Sequence, residues 1–248
     1  MHLELRMVAA LQKIATTPLV RTIATTPLVR TSTFILQKEK YGLWLPRIQA
    51  LLYDTYVQEQ KWVFGKENPS FLRVKTNKDK MKLLEDRFMK SSTWVIAVEN
   101  TDRGVEGAEL MGVFRLIENK PVEVAGYAHQ PQADAVHKLL NEYGPEGLVE
   151  VNRFAVSSKY RSRGVGGSLM HTLFEYIADK GDSDDRPVVA TIPVNIGKHH
   201  PNIWFEVMKP LGKPFFYEAT DPLPAQMYLG HREAMADTVE KYCKTLFT

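Results

Sequence analysis

Arg161-Ser162-Arg163-Gly164-Val165-Gly166-Gly167 joins an apolar run, Leu148 to Val156, to an amphipathic run, Gly166 to Lys180. The first run reads as a strand and the second as a helix. Leu169, Leu173 and Ile177, with Met170 and Phe174 beside them, form one stripe, and His171, Glu175 and Asp179 lie off it. A turn of this composition between a strand and a helix can hold a diphosphate. Glycines at 164 and 166 let the backbone approach a ligand and tolerate unusual φ. The N–H groups of the helix's first turn point at the anion, and the helix dipole adds to the attraction. Arg161 and Arg163 add mobile positive charge. The run spells neither the dinucleotide-binding Gly-x-Gly-x-x-Gly, since Leu169 stands where the third glycine belongs, nor a Walker sequence. Read alone, it is also compatible with an ordinary tight turn that exposes arginines.

Working outward, Lys40 to Trp62 and Lys78 to Met89 carry helical spacing, and Ala133 to Tyr143 predicts a short helix. Thr93 to Val98 and Leu110 to Ile117 predict strands, and Pro121 to Ala125 a third. Pro187 to Val194 is almost wholly apolar, as a strand covered on both faces should be. Asn202 to Met208 reads as a helix begun by Asn202 and stopped by Pro210 and Gly212. Strands near Pro214 to Tyr217 and Ala225 to Leu229 follow, then a C-terminal helix with Met235, Val239, Tyr242 and Leu246 on one face. Such an order describes a mixed α/β domain built around one sheet.

The 248 residues, 44% of them apolar, suffice for one sizeable core. A net charge of +3 argues against a nucleic-acid partner, so any basic patch is local and suits a phosphate-bearing ligand. The lone Cys243 excludes an internal disulfide and a cysteine metal site, and it reads as a packed apolar residue. A reducing, cytoplasmic compartment fits. No apolar run reaches the roughly 18 residues of a membrane span. Ile14 to Thr22 recurs unchanged as Ile23 to Thr31, and no acid occurs between Leu5 and Gln37. We read residues 1–33 as an extension and 34–248 as the functional domain. The extension's basic, threonine-rich composition also leaves organelle targeting open.

Arg161, Gly164 and Gly166 match position by position the Arg/Gln-x-x-Gly-x-Gly/Ala signature of the GNAT superfamily, which the last two-thirds of the chain resembles. A narrower resemblance rests on three stretches. Glu150-Val151-Asn152-Arg153-Phe154-Ala155-Val156 is similar to the Glu-x-Ser-Arg-Phe stretch of acyl-homoserine-lactone synthases and long-chain N-acyl amino acid synthases. Gly112-Val113-Phe114-Arg115-Leu116-Ile117 is similar to their Gly-x-x-Arg-Leu strand, and Tyr53 to Trp62 to their N-terminal helix. Asn152 replaces the usual serine, and the acidic pair is reduced to Glu85-Asp86. The resemblance implies a central, mostly antiparallel twisted sheet with helices on both faces and a splay between two central strands.

It also implies an N-acyltransferase whose donor is acyl-CoA or the acyl-phosphopantetheine of an acyl-carrier protein, and whose acceptor is a small amine. Val156, Arg161, Ser162, Arg163, Gly164, Val165, Gly166 and Gly167 would hold the donor's phosphates. Glu150 would be the general base, and a backbone N–H at Phe154 or Ala155 would stabilise the oxyanion. Trp62, Arg115, Asn152 and Arg153 would contact the acceptor, with Arg115 and Arg153 either orienting an acceptor carboxylate or bracing the acids. Simple alternation puts Glu150, Asn152 and Phe154 on one face and Arg153 on the other, so Glu150 and Arg153 share the cleft only if a bulge intervenes. Phe205 stands near the place of the family's thiolate-protonating tyrosine, with Tyr217, His199 or solvent as substitutes. His199-His200 is a poor metal site, because adjacent histidines rarely aim at one ion. Two other readings stay open: a signal synthase that acylates S-adenosylmethionine, and a non-catalytic module that binds a thioester.

Overall fold

The computed structural model describes residues 31–62, 65, 68, 70–99, 107–118, 121–128, 133–180, 185–194, 202–216 and 224–247. The first copy of the repeat, most of the second, His199, His200 and Tyr217 lie outside them, as do the side chains of Tyr242, Cys243 and Leu246. Seven strands form one sheet. β1 (Thr31–Ile35), β4 (Thr93–Glu99), β5 (Leu110–Ile117), β6 (Val149–Val156), β7 (Val188–Pro193), β9 (Ala225–Gly230) and β8 (Lys209–Phe215) lie side by side in that order. Every pairing is antiparallel except β6 with β7. A tight hairpin cannot join parallel neighbours, so the chain must cross over between them, and α3 (Val165–Ala178) supplies that crossover.

One face carries α1 (Tyr41–Leu52), its continuation as a π-helical turn over Tyr53–Glu59, and the small hairpin of β2 (Arg73–Thr76) and β3 (Lys82–Glu85). There Trp44, Ile48, Leu52, Leu84 and Trp94 are buried together. On the same face, α2 (Asp134–Tyr143) covers β7 and β9 through Val136, Leu139, Val189 and Met227. The other face is covered by α3, α4 (Asn202–Val207) and α5 (Arg232–Phe247), with Leu169, Leu173, Phe174 and Trp204 in its core. The stripe expected on α3 is the one buried.

Three sequence expectations are corrected. Lys78 to Met89 is not a helix but the hairpin turn, β3 and a following turn. Met81, Leu84 and Phe88 mimic helical spacing, yet Lys80 has φ 62° and the Asn77 side chain accepts from the Met81 N–H at 2.9 Å, closing the chain back on itself. Pro121 to Ala125 is not a strand. Glu123–Tyr127 forms a 3-10 turn, and the consecutive Val122, Glu123 and Val124 are all buried, where a half-buried strand would alternate. Pro210 and Gly212 do not merely stop α4; they lie within β8, an edge strand, the position in a sheet that tolerates proline. β1 on the opposite edge spans the expected boundary at residue 33 and carries no strand signal in the sequence reading.

Candidate active site

The site is set by one irregularity in β6. Its register against β5 runs Arg115↔Asn152, then resumes at Val113↔Ala155, so Phe114 faces two residues, Arg153 and Phe154. This is a β-bulge, and Arg153 takes φ 53° to make it. The bulge turns Arg153 onto the face that already holds Glu150 and Asn152. It sends Phe154 to the opposite face, where its ring lies 4.9 Å from that of Phe114. The alternation expected for Phe154 is therefore overturned. Opposite the bulged segment, β5 must come close: a Cβ at Gly112 would meet Leu169 at 2.9 Å and the Ala155 carbonyl at 3.0 Å.

On its other edge β6 parts from its neighbour before the bulge is reached. β6 and β7 pair only at Val149↔Val188 and Glu150↔Val189, and β7 then stays with β9 through Pro193. Glu150 thus stands at the last paired position before the two strands part. Thr191, two residues further along β7, has a buried hydroxyl with no hydrogen-bond partner among the described residues. A buried orphan donor at the mouth of a gap fits a ligand with amide groups.

At the far end of β6, Ser158–Tyr160 makes a 3-10 turn and the chain enters α3 through Gly164 at φ 84°. No side chain caps this helix. A Cβ at Gly164 or Gly167 would meet nothing within 4 Å, so the space above the turn is open to a ligand. Gly164 is exposed, Gly166 and Gly167 are half-buried, and Val165 is buried in the core. Of the two arginines, Arg163 is half-buried and Arg161 is exposed. Arg161 donates from Nε to the Val156 carbonyl at 3.0 Å and from Nη2 to the Glu59 carboxylate. These features suit a bound diphosphate.

On the bulge's polar face lies a closed network. Arg115, 0% exposed, donates from Nε to Asn152 Oδ1 and from Nη1 to Asp86, each at 2.7 Å, and from Nη2 to Glu123. Arg153 donates from Nε to Asp86 at 3.2 Å and from Nη2 to Glu123 at 2.6 Å. Glu123 also receives Ser70 Oγ at 2.5 Å and Asn152 Nδ2 at 3.0 Å. Glu150, 3% exposed, accepts from the Val124 N–H and from Asn152 Nδ2, both at 3.0 Å. Both guanidinium groups therefore brace acids, and an acceptor carboxylate would have to displace one of those acids to reach them.

The electrostatics follow from this packing. Burial disfavours the Asp86 carboxylate, but Arg115 and then Arg153 outweigh it and hold its pKa below the usual range. Burial likewise opposes the Arg153 charge, and Glu123 and Asp86 more than restore it, raising its pKa. Glu150 goes the other way. Burial first, then the Glu123 charge, pushes it up to about 7, against the opposing pull of its own hydrogen bonds and of Arg115. Two cations face three carboxyl groups, so the cluster is balanced when Glu150 carries a proton.

The N-terminal arm crosses this region. Tyr56 Oη donates to the Phe154 carbonyl at 3.2 Å, and its ring stacks on Trp62 with centroids 4.8 Å apart. Phe205 on α4 is partly exposed, with its ring centroid 6.3 Å from that of Tyr228 on β9. Among the described residues, no group of three or more His, Cys, Asp or Glu is placed to hold a metal, and no helix is long and apolar enough to cross a membrane.

Sequence reasoning singles out Glu150, Asn152, Arg153, Arg115 and the glycine turn, and all but the turn meet in one network. It misses Glu123 and Ser70. An acid between Val122 and Val124 in an apolar run is the available signal, since burying a carboxyl group requires partners.

Residues 75–190 match the model of the Acetyltransferase (GNAT) family. That stretch is a GNAT acyltransferase domain. Among solved structures, the whole fold is similar to acyl-transferring synthases. One is a CoA-dependent acyl-homoserine lactone synthase, BjaI, solved with SAM and isopentyl-CoA: 17% identity, TM-score 0.57, covering 86% of this chain and 89% of that one. The AHL synthase LasI follows at 14% identity and TM-score 0.52, covering 82% and 91%. FeeM, an N-acyl amino acid synthase from uncultured soil microbes, shares 16% identity at TM-score 0.50, covering 85% and 95%. At these identities the likeness is one of fold. No curated protein matches by sequence.

Proposed function

We propose that this acyltransferase moves an acyl group from a pantetheine thioester, carried by CoA or by an acyl-carrier protein, onto the amine of a small acceptor such as an amino acid. The observation that carries this reading is the bulge at Arg153–Phe154. It brings Glu150 and Arg153 to one face just where β6 and β7 part, in line with an open glycine turn at a helix N-terminus.

The donor's diphosphate would lie against the first-turn amides of α3 and beside Arg161 and Arg163, and its pantetheine would run into the gap past Thr191. Glu150 takes a proton from the acceptor ammonium. The neutral amine then attacks the thioester carbonyl carbon, forming the C–N bond, and the Phe154 or Ala155 N–H stabilises the oxyanion. As the carbonyl re-forms, the C–S bond breaks, the thiolate takes up a proton, and the nitrogen releases one to leave an amide.

The test is a panel of acyl-CoA and acyl-carrier thioesters of several chain lengths against amino acids and other amines, with products read by mass spectrometry. An N-acyl product from at least one pair supports the reading. A lactone formed only with S-adenosylmethionine would replace it with the signal-synthase reading, and binding without any product would replace it with a thioester-binding module.

A further inference from the structure

Glu123 belongs to no stretch on which the family resemblance rests, yet more side chains donate to it than to either other carboxyl group of the network. Four side chains donate to it: Arg115, Arg153, Asn152 and Ser70. A surface glutamate would not gather so many partners; a buried carboxylate needs them to offset its lost hydration. The arrangement also has a direction. Val124, the residue after Glu123, gives its N–H to one oxygen of Glu150, and the same Asn152 amide nitrogen that donates to Glu123 donates to the other. Fixing Glu123 thereby fixes both hydrogen bonds made to Glu150.

We propose that Glu123 is the positioning residue of the proton-transfer step: it locks the Glu150 carboxyl group through Val124 and Asn152, and its charge keeps that group ready to accept a proton. This inference rests on Glu150 being the base. The charge of Glu123 is the second cause, after burial, of the raised pKa of Glu150. The other charged or titratable groups around the cluster are Arg115 on β5, Arg153 on β6, Asp86 after β3 and Tyr56 on the N-terminal arm. Among these Arg115 opposes the effect of Glu123, and both arginines are already committed to Glu123 and Asp86. A base left with the pKa of a free carboxylate would be ionised at neutral pH but too weak to take a proton from an ammonium; Glu123 raises its basicity toward the working range. The proton passes from acceptor nitrogen to the Glu150 oxygen, while Glu123 itself gains and loses nothing.

The experiment is infrared difference spectroscopy of wild type against Glu150→Gln over pH 4 to 9, which isolates the carbonyl band of protonated Glu150 without needing a substrate. The band should fade with a midpoint near 7. In the Glu123→Gln background the midpoint should fall by about 1 pH unit or more, and the acid limb of kcat/KM should move with it. Ser70→Ala, which keeps every charge, should leave the midpoint in place. If Glu123→Gln does not fold, Glu123→Asp withdraws the charge by one methylene and should lower the midpoint by a smaller amount. A midpoint that stays or rises in whichever Glu123 variant folds overturns the inference. A midpoint that falls while no acyl donor and amine pair ever reacts leaves the coupling standing and removes the base role on which its catalytic meaning rests.

Discussion

Glu150 and Arg153 stand three residues apart on one strand and yet share a face, because the backbone at Arg153 turns to φ 53° and adds a residue to β6. On a regular strand they would face opposite ways. That single inserted residue gathers Arg153, Arg115, Asp86 and Glu123 into one buried network beside Glu150. It also falls in the half of β6 that no longer pairs with β7.

Arg153→Ala should destabilise the fold by about 3–5 kcal/mol, because Asp86 and Glu123 would each lose a guanidinium while remaining buried. Chemical denaturation at neutral pH measures this. Arg153→Lys should recover only part of the loss, since an ammonium cannot reproduce the fork that spans two carboxylates.

Glu59 pairs with Arg161 across 102 positions of sequence, on side chains that are both partly exposed. Glu59→Gln should free that guanidinium for an anionic donor and tighten CoA binding by about two- to five-fold, the scale of an exposed ion pair. Arg161→Ala should weaken it. Isothermal titration with CoA at low salt reads both, and the gain from Glu59→Gln should shrink as salt is added.

At Gly164 a side chain has room but the backbone conformation disfavours it, with φ 84° and nothing within 4 Å of an added Cβ. Gly164→Ala should therefore cost about 1 kcal/mol of stability. Its larger effect should be on CoA affinity, because the methyl group would project into the space that the diphosphate is expected to fill. Thermal melts with and without CoA separate the two.

Much of this is legible in the residues because it rests on periodicity and local chemistry. The α3 stripe of Leu169, Leu173 and Ile177, the apolar β7 and the glycine turn each follow from side chains a few positions apart. Even the bulge follows as a condition, since Glu150 and Arg153 cannot otherwise meet. What stays hidden depends on long-range pairing. The β2–β3 hairpin carries a helix-like spacing that only the turn at Asn77–Lys80 overrides. Glu123 reads as one acid in a short apolar run until Arg115, Arg153 and Ser70 arrive from three other segments.

Stability should depend on pH through Glu150. Its folded pKa of about 7 lies above the value of 4.5 for a free glutamate, so the native state binds the extra proton between those limits. Stability should therefore fall as pH rises from about 4.5 to 7, and the loss should be complete above the folded pKa. Asp86, whose pKa is lowered, acts oppositely and adds stability that is lost only in acid. Urea midpoints at pH 5 and pH 8 compare the states, and Glu150→Gln should show a smaller drop between them than wild type.

Single-turnover acyl transfer tests the role of Glu150 most directly, with enzyme in excess over an acyl-CoA or acyl-carrier donor and the amine acceptor saturating, followed as free-thiol release across pH. Wild type should show an acid limb near pH 7, and Glu150→Gln should lose at least about 100-fold in rate with that limb abolished. Equal rates in the two proteins, with the limb unchanged, would contradict the assignment of Glu150 as the base.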